Sequence, residues 1–276
     1  MHQPELTWGA ASDVGRRSEN QDRYLAAAPV FAVADGMGGH TSGGAASEAV
    51  IARLAALAVV PTVAVDALRE ALRCAEEDIK QLGRAGDDAD AAGTTVVGLA
   101  LTENAGALYW AAFHIGDSRI YRCSSAGLEQ VTHDHSVVQE LLDGGLISEA
   151  QALVHPQRHM ITRALGFGSR GEAEFTLLPV DPGERFLVCS DGLSGVLSKA
   201  RIGEMMAAQA AEQVLADALV AEAVDAGAQD NVTAVVLRVG AASAGSARGR
   251  AESVNEDTAP LPPIPPLRTD AGGDRR

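Results

Sequence analysis

Phe31-Ala32-Val33-Ala34-Asp35-Gly36-Met37-Gly38-Gly39-His40-Thr41-Ser42-Gly43-Gly44 is the stretch on which the reading of this chain turns. An apolar run ends in one aspartate, five glycines follow within nine residues, and a helical pattern then begins. A short apolar run bounded by glycines reads as a buried strand. Asp35 is therefore expected at a strand end, where its carboxylate can face a ligand, and the glycines permit close approach of the backbone. Taken alone, an Asp-Gly pair is also what an ordinary strand-turn-helix connection looks like.

The same pattern recurs. Asp191 follows Phe186-Leu187-Val188-Cys189-Ser190, Asp117 follows Phe113-His114-Ile115-Gly116, Asp230 stands just before a strand-like run, and Asp22 lies near the first strands. If these ends meet at one edge of a sheet, the repulsion among the carboxylates calls for cations. Oxygen donors without a His or Cys cluster favour hard ions, magnesium or manganese. Two ions sharing one carboxylate would ionise a water and stabilise an in-line displacement. Arg17, five residues before Asp22, offers a guanidinium fork for a phosphate.

Composition sets the frame. The 276 residues are 46% hydrophobic and carry a formal charge of −15, from 37 acidic and 22 basic side chains. A core of ordinary size is expected, and an acidic chain without clustered cations speaks against nucleic acid as partner. Cys74, Cys123 and Cys189 are odd in number and set in apolar surroundings, which reads as reduced core thiols in a cytoplasmic protein. No signal peptide is visible, and Ala49 to Val65, interrupted by Arg53 and Pro61, falls short of a membrane span.

Along the chain, residues 5 to 35 hold two or three short strands. A helix places Val50, Leu54 and Leu57 on one face, and a second is marked by Val65, Leu68, Leu72, Ala75, Ile79 and Leu82. Strands are expected at 94–101, 107–115, 119–123, 172–178, 185–189 and 232–239. Asp134 or Ser136 caps a helix ended by Gly144-Gly145, and Ser148-Glu149-Ala150-Gln151 has the spacing of a capping box. Residues 198 to 226 read as helical. From residue 241 onward five of the eleven prolines appear without any hydrophobic period, so a folded domain over 1–240 and a disordered tail over 241–276 are expected.

Taken together these motifs resemble the type 2C metal-dependent serine/threonine protein phosphatases, in particular their bacterial branch. The motifs are Ser12-Asp13-Val14-Gly15 with Arg17 and Glu19-Asn20-Gln21-Asp22, Asp35 to His40, Gly93-Thr94-Thr95, Gly116-Asp117-Ser118-Arg119, Ser190-Asp191-Gly192 and Asp230-Asn231-Val232-Thr233, in family order. The resemblance implies an α+β fold: a central β-sandwich of two antiparallel sheets flanked by helices, α/β/β/α, with a binuclear site at one end. It implies that Asp35 bridges two Mn2+ or Mg2+ ions, that the Gly36 carbonyl binds one, and that Asp191 and Asp230 complete the shell of the other. Asp22 would hold metal-bound water, Arg17 the substrate phosphate, and Asp117 would help bind a third ion. A flap is implied between about Gly144 and Arg163. The implied reaction is hydrolysis of phosphoserine or phosphothreonine in proteins by a metal-activated water, opposing bacterial serine/threonine kinases, by a cytoplasmic monomer.

Some positions depart from the family pattern. Met37 stands where animal members carry a histidine proposed as general acid, a change shared by bacterial members. Only Arg16 separates Gly15 from Arg17, and Asp225 to Gln229 lacks the usual paired glycines. His40 is assigned packing or hydrogen bonding, and His114, His133, His135, His155 and His159 roles in fold or flap. Two other classes are weighed. A pseudophosphatase that only holds phosphorylated partners usually lacks metal aspartates, and here all are present. Phosphate transfer from a nucleotide lacks a Gly-Lys-Ser/Thr ending, and the two lysines, Lys80 and Lys199, lie in helical surface contexts.

Overall fold

The computed structural model describes residues 3–38, 42–85, 92–166 and 172–240. The expectations for the tail over 241–276 and for His40 lie outside the described residues. Two antiparallel sheets pack face to face. One runs β1 (Leu6–Asp13), β11 (Val232–Val239), β10 (Arg185–Cys189), β7 (Arg119–Ser124), β8 (Gly127–Gln130). The other runs β2 (Asp22–Ala27), β3 (Val30–Met37), β5 (Val96–Asn104), β6 (Ala107–Ile115), β9 (Glu174–Pro179), with the two-residue β4 (Gly93–Thr94) paired to β3.

Strand alternation builds the layers. Phe31 and Val33 of β3 face inward with Val97, Leu99 and Trp110, against Phe186, Val188, Val235 and Leu237 of the opposite sheet. Trp8, Phe31, Trp110 and Phe186 follow one another edge to face at 5.5, 6.2 and 6.0 Å between ring centroids. The intervening residues Val30, Ala32 and Ala34 face outward, beneath α1 (Ser42–Ala55) and α2 (Val65–Ala85). On the far side Val232, Ala234 and Val236 carry α6 (Lys199–Met206) and α7 (Glu212–Asp225). The sequence of layers is helix, sheet, sheet, helix, as the motifs implied. Among the described residues no helix is long and apolar enough to cross a membrane.

Three local expectations are corrected. Asp35 is not at a strand end: β3 continues through Gly36 and Met37, which pair with Thr94 and Gly93. Residues 198–226, read as helical, are interrupted at 207–211 between two helices. The break is held from a distance by Arg185, whose guanidinium donates to the carbonyls of Met206, Ala208 and Ala210 at 3.0, 2.5 and 2.7 Å. Of the cysteines, all free, Cys189 is buried while Cys74 and Cys123 are only half-buried. The caps are resolved in favour of Ser136, whose side chain accepts from the Gln139 N–H at the start of α3 (Val137–Asp143). The Ser148/Gln151 capping box at α4 (Glu149–Leu153) forms as expected.

Candidate metal centre

The sandwich brings the aspartates together at one end, between its two sheets. Asp22 and Asp35 are directly opposed on β2 and β3. Asp191 opens the short helix α5 (Asp191–Ser194) after β10, and Asp230 immediately precedes the residues leading into β11. Asp35, Gly36, Met37, Gly38, Asp230, Asn231 and Arg17 line a cleft of about 430 Å³. Asp117, in the turn between β6 and β7, adds its charge to the field on Asp35.

Each acid is held by neighbours from other elements. Asp22 is buried, and its Oδ2 accepts from Ser190 Oγ at 2.8 Å and Thr233 Oγ1 at 2.7 Å. A carboxylate oxygen only accepts, so both hydroxyls donate to it. Thr233 Oγ1 must then accept from Ser12 Oγ at 2.8 Å, which in turn accepts from Asn20 Nδ2 at 2.8 Å. This chain of donors fixes one edge of the carboxylate, while its other oxygen, Oδ1, has no partner among the described residues. Asp35 is fixed through its backbone: its N–H donates to Thr95 Oγ1 at 3.2 Å, and its carbonyl accepts from Thr95 N–H and Thr94 Oγ1, both at 2.9 Å. Thr95 Oγ1 also bonds Ser118 Oγ at 2.8 Å, which links the turn of Asp117 to Asp35.

Gly36 is required by a close approach. A Cβ there would sit 2.2 Å from the Gly43 carbonyl oxygen, so the start of α1 seats against the β3 backbone only because side chains are absent. Gly116, at φ +110°, combines a left-handed turn with contact on Thr95, whose Cγ2 would lie 2.5 Å from an added Cβ. The arginine loop is sewn down by Asn231. Its Nδ2 donates to the carbonyls of Val14 and Glu19 at 2.9 and 3.0 Å, and its Oδ1 accepts from Gln21 N–H at 2.8 Å. Arg17 thereby reaches the cleft, where Nη2 donates to Asp230 Oδ2 at 2.7 Å. The structure thus turns Arg17 onto a carboxylate of the same cluster.

Crowding shows in the protonation equilibria. Burial, then repulsion from Asp22, Asp191, Asp117 and Asp230, drives Asp35 well above the ordinary carboxylate range. Asp22 is pushed up to about 6, chiefly by burial, with the hydroxyls of Thr233 and Ser190 pulling the other way. Asp117 is pushed up to about 8 by burial and by Asp191 and Asp134. Asp191 is raised by burial and by Asp230, while His159 and Arg119 act to lower it. Arg17 is raised, first by its bond to Asp230. A set of oxygen-only acids that repel one another, with Asp22 Oδ1 and Asp191 Oδ1 both buried and unpartnered among the described residues, fits hard divalent cations. The acids named from sequence therefore act on one another electrostatically, Asp117 on Asp35 and Asp191 on Asp117. Ser190, Thr233, Asn231 and Ser118 lie within the motifs, and sequence reasoning assigns them no role of their own. The available signal was a polar residue inside an apolar strand, as in Val232-Thr233-Ala234-Val235.

A family model described as Protein phosphatase 2C matches residues 11–223, and the chain belongs to that family. The serine/threonine protein phosphatase PstP of Mycobacterium tuberculosis is 37% identical over 241 residues, which is 85% of this chain and 45% of that protein. The chain therefore spans about half the length of that relative. The serine/threonine phosphatase stp of Listeria monocytogenes is 30% identical over 231 residues, 82% of this chain and 88% of its own. Among solved structures, the catalytic domain of PstP in complex with two manganese ions superimposes with a TM-score of 0.77 at 35% identity, covering 85% of this chain and 98% of that one.

Proposed function

We propose that the chain hydrolyses phosphoserine and phosphothreonine in proteins with the help of two divalent cations, Mn2+ or Mg2+. The observation that carries this reading is the convergence of carboxylates from both sheets beside Arg17, with two buried carboxylate oxygens left unpartnered. Family membership and the two manganese ions of the PstP catalytic domain support it. Asp35 and the Gly36 carbonyl would hold one ion, and Asp35, Asp191 and Asp230 the other, with Asp117 serving a third. When bound, such ions lower the pKa of water and offset charge on phosphoryl oxygens.

The chain's own groups then do the following. Asp22, with Oδ2 tied by Ser190 and Thr233, has Oδ1 free to orient the attacking water. Arg17 leaves Asp230 to take two phosphate oxygens through its fork. Asp35 stays fixed by Thr94 and Thr95 while charge builds up opposite it. Water oxygen bonds to phosphorus as the seryl or threonyl oxygen leaves. Met37 has no proton to give, so the leaving oxygen takes its proton from water. Turnover of a phosphopeptide that requires manganese or magnesium, and stops on chelation, tests the reading. Purified protein that binds a phosphopeptide but turns over neither it nor para-nitrophenyl phosphate would be a pseudophosphatase instead. From the family likeness we also propose a cytoplasmic monomer whose substrates include a serine/threonine kinase.

A further inference from the structure

The turn that carries Asp117 is gripped at both ends by one dipeptide, Asp134-His135. Asp134 takes the Arg119 guanidinium, Nε to both carboxylate oxygens at 3.0 Å and Nη2 to Oδ2 at 2.6 Å. His135 takes the other end. Its backbone N–H donates to Gly116 O at 2.9 Å, and its Nδ1 accepts from the Gly116 N–H at 3.2 Å. Because Nδ1 accepts, a neutral ring carries its proton on Nε2. That N–H faces Glu174 Oε1 at 3.1 Å, and Arg163 Nη1 donates to the same oxygen at 2.7 Å. The end of the flap segment is laced to the same point: Thr162 N–H donates to His135 O at 2.8 Å, and Val137 N–H to Met160 O at 2.9 Å.

His114, His135 and Glu174 bring donor atoms within 4.8 Å of one another, so a cation at this cluster is the first reading to weigh. Two observations oppose it. The nitrogen His135 would have to offer is the one that carries its proton, since Nδ1 is engaged by Gly116. The place is also filled: Arg163 Nη1 lies 3.3 Å from His135 Nε2 while bonded to Glu174. The cluster is a strap, closed by a guanidinium.

We propose that His135 is a positioning residue which couples the Asp117 cation subsite to the flap segment, Nδ1 holding the Asp117 turn and Nε2–H donating to Glu174, whose carboxylate in turn accepts from Arg163. This rests on the assignment of Asp117 to a third cation. The burial of His135 and Gly116 makes each hydrogen bond costly to leave unmade.

Two substitutions in the full chain separate the two nitrogens. His135→Asn keeps an acceptor near the Nδ1 position and cuts the link to Glu174. His135→Gln reaches the Nε2 position with a donor and leaves the Gly116 N–H without a partner. Titration calorimetry with Mn2+ is expected to show two tight ions in both variants. The third, weaker ion should lose affinity about tenfold in His135→Gln only. His135→Asn should keep that ion and raise KM for a phosphopeptide about fivefold, with KM for para-nitrophenyl phosphate within about twofold of wild type. Equal third-ion affinity in wild type and His135→Gln overturns the proposal, as does the same mixture of defects in both variants. Asp117→Asn separates the premise: if it retains the third ion, the assignment of Asp117 fails; if it loses the ion while His135→Gln does not, the strap fails. Should the His135 variants not fold, Glu174→Ala cuts the flap link at a half-exposed side chain, and an unchanged phosphopeptide KM there also overturns the proposal.

Discussion

Removing the charge of Asp22 should stabilise the cation-free protein at neutral pH. Asp22 is pushed from an ordinary value of 3.8 up to about 6, mainly by burial and against the pull of Thr233 and Ser190. A shift of about two units at about 1.4 kcal/mol each makes the ionised group cost on the order of 3 kcal/mol. Its folded pKa is raised, so its favourable contribution is full below 3.8 and disappears as pH climbs through about 6. Asp22→Asn is neutral at every pH. It keeps a carbonyl oxygen for the two hydroxyls and puts an amide where Oδ1 has no partner, among acidic neighbours. In chelator at pH 7.5 the variant should be more stable by about 3 kcal/mol, or about 6 to 12 °C in Tm for a domain of this size. The gap should close toward pH 4, and saturating Mn2+ should reverse the order by favouring the charged wild type. Calorimetric melts in EDTA and in Mn2+ at pH 4, 6 and 7.5 read all of this. A variant no more stable than wild type at pH 7.5 in chelator, or a gap that ignores pH, would refute the reasoning.

Three further outcomes are expected. Asp191→Asn should weaken Mn2+ binding and lower kcat at least about a hundredfold together, as measured by calorimetry and phosphopeptide turnover; full activity would remove Asp191 from the centre. Arg17→Lys keeps the charge but loses the fork, so KM for para-nitrophenyl phosphate should rise about tenfold with the Mn2+ affinity little changed, and an unaltered KM would deny Arg17 the phosphate. Gly36→Ala drives a methyl to 2.2 Å from the Gly43 carbonyl, so α1 must shift. A loss of about 1–3 kcal/mol in urea melts is expected, and a neutral substitution would show that the helix start yields freely.

Most of the framework was legible because it repeats. Continuous apolar runs around Phe31, Leu99 and Val235 gave the strands, and the stripe from Val65 to Leu82 gave α2. The acids of the centre were legible as aspartates punctuating apolar runs. What was not legible depends on distant partners. A two-residue strand such as Gly93–Thr94 has no period of its own, yet its pairing carries β3 past Asp35. The break at residues 207–211 carries no local stop signal strong enough to oppose an alanine-rich helix. It is enforced by Arg185, more than twenty residues earlier, which captures three carbonyls. The pairing of Arg17 with Asp230 spans 213 positions and is equally invisible to any window.

The placement of the centre between the sheets explains why its supporting residues are hydroxyls. Asp22 belongs to one sheet, and both hydroxyls that hold it, Ser190 and Thr233, come from the strand end and strand of the other. An ammonium or guanidinium in that position would cancel the charge that a cation needs, and an apolar residue would leave two buried acceptors without donors. A hydroxyl donates one hydrogen bond, orients the carboxylate and leaves its charge intact. The same logic places Arg17 on a loop at the rim, where its side chain is more than half exposed. Under the proposed function it would there exchange Asp230 for a phosphate without stripping a buried acid of its charge, so the acids under the cleft and the arginine above it would keep separate tasks.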